Sequence, residues 1–244
     1  MKHILQRLTP FLISFGLLWL AGLICLLQLG YEESFLYLNG IRSYAADLLM
    51  PHLTHFGDGL FISVLVGLWL AQKRPEMVLN VIIGMSLIGV LVYLGKFWIF
   101  RDWHRPVMVF LHRIEFSEIP LRRLFHYTFP SGHSAAAAGA LVFLAYDWGK
   151  TPVWSGLTLG GLAALFAYTR LYIGVHFLGD ILAGTALGVF VAIGSIHVLE
   201  PRLKRWLGPN DSQTWRRWQR GLTVLAYLLL PISLSWIFIS EYLG

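Results

Sequence analysis

Two apolar runs joined by a short connection that contains a histidine make up residues 153–199, which read VWSGLTLGGLAALFAYTRLYIGVHFLGDILAGTALGVFVAIGSIHVL. An α-helix needs about 20 residues to cross a hydrocarbon core of roughly 30 Å, and the runs Val153–Tyr172 and Phe177–Leu199 both have this length. His176 stands between them, and Asp180 lies one helical turn further on. Ionisable groups are costly next to lipid, so their presence at the ends of two spans indicates a functional site.

The composition of the whole chain is also typical of a membrane protein. Of its 244 residues, 57% are hydrophobic and only 13% are charged. The mean hydropathy is +0.64. Soluble domains carry about 25% charged residues, so much of this surface must face lipid. The net charge of +6 comes without a basic run that would suit nucleic acid, and no nucleic-acid partner is expected.

Further apolar runs continue the pattern in both directions. Residues Tyr31–Met50 differ, because they place apolar residues at helical spacing among charged ones, which predicts an amphipathic helix in the membrane interface. No repeat or linker divides the chain, so residues 1–244 are predicted to form a single all-α domain, a polytopic transmembrane helical bundle. The other predicted spans are Phe11–Leu29, Gly59–Ala71, Met77–Phe97, His133–Tyr146 and Leu222–Ile239.

Seven spans would place alternate loops on opposite sides of the membrane. One side holds the N-terminus and the loops near 72–76, 147–152 and 200–221. It carries 11 Lys and Arg residues against 4 Asp and Glu residues, whereas the other side carries 8 against 9. Lys and Arg in short loops mark the cytoplasmic side. We therefore expect a cytoplasmic N-terminus and a site on the outer, periplasmic or extracytoplasmic, face.

The pair formed by His176 and Asp180 suggests an activated nucleophile. Residues four apart share one face of a helix. A carboxylate that accepts one imidazole N–H fixes the tautomer and leaves the other nitrogen free to attack. A metal-binding His would need the same support, but no second and third ligand stands nearby at zinc spacing. No metal or other cofactor is expected.

A second polar segment, Pro130-Ser131-Gly132-His133, directly precedes the fourth span. The start of a helix presents backbone N–H groups and the positive end of the helix dipole to an anion. Gly132 lets the backbone approach a phosphate closely, and His133 is placed to donate a proton to a leaving oxygen. This segment therefore suits a bound phosphate.

Three cations complete the predicted site. Arg105 and Arg170 offer planar guanidinium groups that match phosphate geometry, and Lys96 adds a compact positive charge. Cations, backbone donors and two imidazoles together predict a site for phosphoryl transfer, in which charge stabilisation does most of the catalysis.

The three segments resemble the motifs of the type-2 phosphatidic acid phosphatase superfamily, a family of membrane lipid phosphate phosphatases. The family pattern is Lys, six residues and Arg-Pro; then Pro-Ser-Gly-His; then Ser-Arg, five residues, His, three residues and Asp. The second segment matches fully, and the third matches in spacing with Thr169 in place of Ser. In the first, eight residues separate Lys96 from Arg105. Either a two-residue insertion is absorbed at the helix end, or Arg101 takes the role of the Lys.

The resemblance implies a fold, a mechanism and a set of residue roles. The fold is a six-helix phosphatase core, about residues 59–199, with residues 222–239 as an extra transmembrane helix. In the mechanism, the His of the third motif attacks phosphorus and forms a phosphohistidine, which water hydrolyses without a metal. By motif position, His176 is the nucleophile, Asp180 orients it and His133 is the general acid. Phosphate-binding roles fall on Lys96, Arg105, Ser131, Gly132 and Arg170.

These expectations describe an integral-membrane phosphatase acting on a lipid phosphate monoester or diphosphate. Undecaprenyl diphosphate, phosphatidylglycerophosphate, phosphatidate and a lipid A phosphate all fit, and the sequence leaves this choice and the oligomeric state open. A lipid-to-lipid phosphotransferase would use the same site. A transporter would place its charges near helix centres, whereas these stand at span ends. Vanadate haloperoxidases have similar motifs but are soluble, so the apolar runs of this chain disfavour that class. An anionic headgroup could also be bound by Arg113, Arg122 and Arg123.

Overall fold

The computed structural model describes residues 1–110, 126–148, 152–210 and 212–242, with side chains up to residue 237. These parts of the chain are helical and contain no β-strand, which confirms the predicted all-α fold. A 3₁₀ turn at Thr54–Gly57 precedes the helix at Gly59–Ala71, and a π-helical turn at Gly95–Ile99 follows the helix at Pro75–Leu94. The helices are α1 (Lys2–Asn39), α2 (Tyr44–Leu53), α3 (Gly59–Ala71), α4 (Pro75–Leu94), α5 (Pro106–Val109), α6 (Gly132–Asp147), α7 (Val153–Tyr172), α8 (Leu178–Leu207) and α9 (Gln213–Tyr242).

Several helices are long and apolar enough to cross a membrane. Within the described ranges these are four: α1, Pro75–Ile99, α8 and Gln213–Ile237. The pair Tyr44–Gly57 and Gly59–Ala71, bent by 72°, adds a fifth if it is one broken span. Helix α6 has only 16 residues, and other helices cover most of it. The chain is therefore a multi-pass membrane protein, and the count of seven spans stays a prediction.

The predicted amphipathic helix over Tyr31–Met50 is wrong, because the chain forms two separate helical pieces there. Gly30 has φ 81° and ψ −176°, a conformation that suits glycine alone, so α1 kinks at this residue and continues to Asn39. The Asn39 amide donates to the carbonyl groups at the end of α7, which fixes the end of α1 there. Ser43 then caps a new helix by accepting the Ala46 N–H at 3.2 Å.

One face of the segment after the kink packs inside the protein. Phe35 is fully buried, and its ring stacks on Phe110 with centroids 5.6 Å apart and meets Phe177 edge-on at 5.4 Å. This aromatic cluster covers the start of α8. Residues 31–39 at the end of α1 are thus part of the support of the polar segments that end α7 and begin α8.

Two helices approach each other closely through glycines of α8. A β-carbon on Gly184 would collide with the carbonyl oxygen of Ser131, and one on Gly188 would collide with that of Ala135. Small residues let helix backbones come together in this way. Helix α6 and the segment before it therefore lie directly against α8.

The predicted loop over 200–221 is mostly helical. Helix α8 runs on to Leu207, and α9 already begins at Gln213. Lys204 pairs with Glu200 one turn earlier at 2.6 Å, and the Trp206 and Trp218 rings lie 5.2 Å apart across the connection. Such contacts extend both helices beyond their apolar runs.

An ion-pair network joins three helices at the end of the bundle away from the motif segments. Arg74 pairs with Glu76 at 2.9 Å, with Asp147 at 3.2 Å and with Glu200. The Tyr146 hydroxyl donates to Glu200 at 2.8 Å. Partly buried charges are tolerated when they are paired in this manner. The network fixes the ends of α4, α6 and α8 relative to one another.

Candidate active site

Hydrogen bonds join the three polar segments at one end of the bundle. The Ser131 N–H donates to the backbone carbonyl of Asp180 at 3.0 Å, which ties the segment before α6 to the first turn of α8. The Arg105 guanidinium donates to the Val175 carbonyl at 3.2 Å, which ties the segment after α4 to the loop between α7 and α8. Residues far apart in sequence thus form one constellation.

The pair of His176 and Asp180 forms the buried centre of this constellation. Imidazole Nδ1 lies 3.1 Å from carboxylate Oδ2, and the residues are 2% and 0% exposed. The Phe177 N–H donates to the same carboxylate oxygen at 3.0 Å, since Asp180 lies in the first turn of α8. A protonated Nδ1 that donates to Asp180 leaves Nε2 with its lone pair free.

Three cations surround His176 and affect its charge. Burial, and then the positive charge of Arg105, hold the pKa of His176 well below its ordinary value of 6.5. Lys96 and Arg170 lower the pKa further. The imidazole is therefore neutral at physiological pH, which is the state that a nucleophile requires.

The π-helical turn after α4 decides where the first-motif cations lie. The Phe100 N–H bonds to the Gly95 carbonyl at 2.8 Å, and this i+5 spacing accommodates an extra residue at the helix end. Lys96 in this turn donates to the Tyr127 carbonyl at 2.7 Å. The Arg101 side chain is 70% exposed, and its ion pair among the described residues is with Asp102, at 3.5 Å. The structure brings Lys96 to the constellation and leaves Arg101 outside it.

The start of α6 supplies backbone donors and the second imidazole. Ser131 is buried, and its hydroxyl caps the helix by accepting the Ser134 hydroxyl at 2.8 Å and the Ser134 N–H at 3.4 Å. Its oxygen is therefore engaged in the cap. The N–H groups of Gly132 and His133 belong to the first turn, which has no intrahelical partners for them. The His133 side chain lies against Gly57, where a β-carbon would come within 2.9 Å of it.

Each of the two arginines is held by neighbouring oxygen atoms. Arg105 is 7% exposed and donates from Nε to the His126 carbonyl at 3.1 Å. Arg170 donates to the Thr54 hydroxyl at 2.8 Å. A guanidinium has five N–H donors, so Arg105 retains donors for a ligand beyond its bonds to the His126 and Val175 carbonyls. The arrangement can bind a tetrahedral anion between fixed cations and a helix start.

Sequence reasoning missed two hydroxyl groups that hold Asp180. The Thr128 hydroxyl donates to its carboxylate and lies 3.2 Å from His176 Nδ1. The Tyr31 hydroxyl donates to the other carboxylate oxygen. Its ring lies 4.7 Å from that of Phe177. For Tyr31 the only available signal was a glycine that interrupts an apolar helix directly before an aromatic residue, and Thr128 had no signal beyond its place two residues before Pro130.

The Tyr31 bond to Asp180 predicts a specific effect on turnover. Tyr31→Phe keeps the ring and removes only the hydroxyl, so the carboxylate loses one of the donors that orient it. Hydrogen bonds to charged groups contribute about 1.5–3 kcal/mol, which corresponds to roughly 10- to 100-fold in rate. We expect kcat to fall by this factor and KM to stay unchanged in steady-state assays.

Tyr37→Phe is the matched control, because Tyr37 is on the same helix and is 63% exposed. The control should keep the wild-type kcat. An unchanged kcat in Tyr31→Phe would show that Tyr31 does not orient the pair.

Two further observations complete the description. Among the described residues, no group of three or more His, Cys, Asp or Glu side chains is placed to hold a metal ion. The candidate headgroup ligands Arg113, Arg122 and Arg123 lie outside the described residues.

Comparison with known proteins gives the class of this one. A family model for the PAP2 superfamily matches residues 76–204, so the chain belongs to that superfamily. It is 28% identical over 226 residues to a lipid A 4'-phosphatase of Porphyromonas gingivalis, covering 85% of this chain and 93% of the relative. It is 28% identical over 163 residues to phosphatidylglycerophosphatase B of Bacillus subtilis, covering 62% and 74%.

A solved structure agrees with this assignment. The crystal structure of Aquifex aeolicus LpxE is similar with a TM-score of 0.56 at 28% identity, covering 67% of this chain and 92% of that one. The protein is therefore a PAP2-family membrane lipid phosphatase, a phosphate hydrolase that acts on lipid phosphates.

Proposed function

We propose that this protein hydrolyses a phosphate monoester or diphosphate of a membrane lipid through a phosphohistidine formed on His176. The observation that carries the proposal is the buried pair of His176 and Asp180, surrounded by the cations Lys96, Arg105 and Arg170. The pair supplies an oriented neutral nucleophile, and the cations supply the charge that a phosphoryl group requires.

In the first step, Nε2 of His176 attacks phosphorus and the bond from phosphorus to the lipid oxygen breaks. His133 donates its proton to the departing oxygen, so a monoester releases the lipid as a neutral alcohol. In a diphosphate the bond to the bridging oxygen breaks instead, and the lipid leaves as its monophosphate. The bound phosphate favours the protonated form of His133, because its negative charge offsets the nearby cations. The Nδ1 proton of His176 stays on the bond to Asp180, which stabilises the positive charge on the ring.

In the second step, water attacks the phosphorus of the phosphohistidine. His133, now neutral, takes a proton from the water, the phosphorus–nitrogen bond breaks and inorganic phosphate leaves. Both steps move charge onto the three non-bridging oxygens. The proposed ligands of these oxygens are Lys96, Arg105, Arg170 and the start of α6 at Ser131 and Gly132.

The proposed orientation places this site at the outer face of the membrane and the N-terminus in the cytoplasm. The excess of Lys and Arg lies in the loops of the opposite end, where the Arg74 network is found. From Asp180 to Glu200, α8 advances by roughly 30 Å, which is the thickness of a hydrocarbon core. The network and the site therefore suit opposite faces of one bilayer.

A panel of lipid phosphates tests the reaction. Lipid A and phosphatidylglycerophosphate are candidates, because relatives carry the names lipid A 4'-phosphatase and phosphatidylglycerophosphatase B. Phosphatidate and undecaprenyl diphosphate complete the panel. We expect the purified protein to release inorganic phosphate from at least one of them in the presence of a metal chelator.

Product analysis with a second, hydroxyl-bearing lipid separates hydrolysis from phosphotransfer. Labelled phosphate recovered on that lipid would establish the transferase. Failure to cleave any member of the panel, in protein that retains its helical circular dichroism, would contradict the proposal.

A further inference from the structure

An apolar cavity of about 420 Å³ opens beside His133. Helices α3, α4 and α9 form its long walls, and Gly132 and His133 at the start of α6 close one end. His133 is the sole ionisable residue among those that line it within the described chain, and the others are apolar residues, glycines and two serines. The cavity is thus an apolar extension of the proposed phosphate site.

The cavity is elongated along the helices. On α4 its lining extends from Val92, next to Gly132, to Val78, and fourteen residues of helix span roughly 20 Å. There is open space in front of this wall at Gly89, because a β-carbon on this residue would meet no atom within 4 Å. The shape is that of a narrow slot leading from the phosphate site towards the other end of the bundle.

Helix α9 contributes the outer wall, although it lies beyond the matched family region of residues 76–204. Leu222, Leu225, Ala226 and Leu229 line the cavity at the spacing of one helical face. Near its start, α9 is tied to the end of α3, where the Gln219 amide donates to the Gln72 carbonyl. This helix therefore covers a slot that α3 and α4 would otherwise leave open to lipid.

We propose that this cavity binds a hydrocarbon chain of the lipid substrate, with α9 as the wall that limits the chain it accepts. The inference rests on the proposed function, since a lipid whose phosphate lies beside His133 has its chain at the mouth of the slot. A hydrocarbon chain needs no polar partner, and the slot offers almost none. An extended protein segment would require hydrogen bonds for its backbone that these walls do not supply.

If the cavity binds a hydrocarbon chain of the substrate, the length of that chain should control kcat/KM. Burying one methylene group is worth about fourfold in affinity. With water-soluble short-chain phosphatidates, we expect kcat/KM to rise by up to this factor for each added methylene. p-Nitrophenyl phosphate has no chain and serves as the reference substrate.

Filling the cavity tests its role directly. Gly89→Leu and Ser86→Leu each place a side chain in the slot, three residues apart on α4. We expect both to lower kcat/KM for dioctanoyl phosphatidate at least tenfold, to flatten the dependence on chain length and to leave p-nitrophenyl phosphate turnover unchanged. Gly161→Leu on α7 is the matched control, because a β-carbon there also meets nothing within 4 Å and the residue lies outside the cavity.

A binding measurement separates this inference from the proposed reaction. A long-chain phosphatidate with a diazirine at the end of one acyl chain should cross-link to α9 around Leu225 and Leu229, and Gly89→Leu should abolish that labelling. Labelling elsewhere, or an unaltered chain-length dependence in both cavity-filling variants, would overturn the inference. Wild-type protein that is labelled on α9 but hydrolyses none of the substrates would contradict the proposed function and leave the binding site standing.

Discussion

Replacing His176 by glutamine should lower lipid phosphate hydrolysis by about 10⁴- to 10⁶-fold, the loss usually seen when a nucleophile is removed. Glutamine is similar in size and can still donate to Asp180, but its amide has no lone pair able to attack phosphorus. The measurement is inorganic phosphate release from the preferred lipid, followed long enough to detect a residual rate.

A second measurement detects the phosphohistidine directly, by testing whether protein-bound phosphate is stable to acid and to base. When the wild-type enzyme is quenched during turnover of a phosphorus-labelled lipid, we expect label on the protein that is stable to base and lost in acid, as for a phosphohistidine. His176→Gln should carry none. The control is His197→Gln, an exposed histidine on α8, which should behave as wild type. A His176→Gln variant with more than about a hundredth of wild-type activity would rule out this nucleophile.

Replacing His133 by glutamine should have an effect that depends on the leaving group. A lipid alkoxide leaves poorly without a proton, whereas p-nitrophenolate leaves unaided. General acid catalysis is worth about 10²- to 10⁴-fold, so we expect His133→Gln to slow phosphorylation by a lipid phosphate by this factor. Phosphorylation by p-nitrophenyl phosphate should slow by less than about tenfold.

The quantity to measure is the initial burst of nitrophenolate, because in the proposed mechanism His133 also activates water in the second step. We expect His133→Gln to release nearly one equivalent of nitrophenolate quickly and then to turn over slowly, with phosphohistidine accumulating. His52→Gln, an exposed histidine on α2, is the control. Equal losses in the burst rate with both substrates would show that His133 is not the acid.

Local sequence patterns predicted much of this structure. The bounds of α3 and α7 agree with their apolar runs, because polar or helix-breaking residues flank both. The motif residues His133, His176 and Asp180 could be placed near one another from span order alone. The sequence left open whether Lys96 or Arg101 fills the cation position of the first motif. The π-helical turn brings Lys96 to the site, but this turn depends on packing at the end of α4 and has no simple signature in sequence.

The parts that escaped prediction depend on tertiary contacts. The pattern over Tyr31–Met50 is helical throughout, yet the bonds of Asn39 to α7 and the cap at Ser43 divide it. The role of Ser131 in binding phosphate stays a prediction, and its hydroxyl oxygen also accepts from Ser134 in a helix cap that the sequence did not indicate. A hydroxyl can serve several partners, and only the fold decides which one it meets.

The kink at Gly30 makes the proposed catalytic unit larger than the residue range that the family model matches. The family match begins at residue 76, but Tyr31, which donates to the Asp180 carboxylate, lies in a helix that precedes it. A graft of residues 76–204 onto another membrane scaffold would contain every motif side chain. It would still lack one hydrogen-bond donor to the Asp180 carboxylate. Any minimal version of this enzyme therefore has to include the first helix, with its glycine intact.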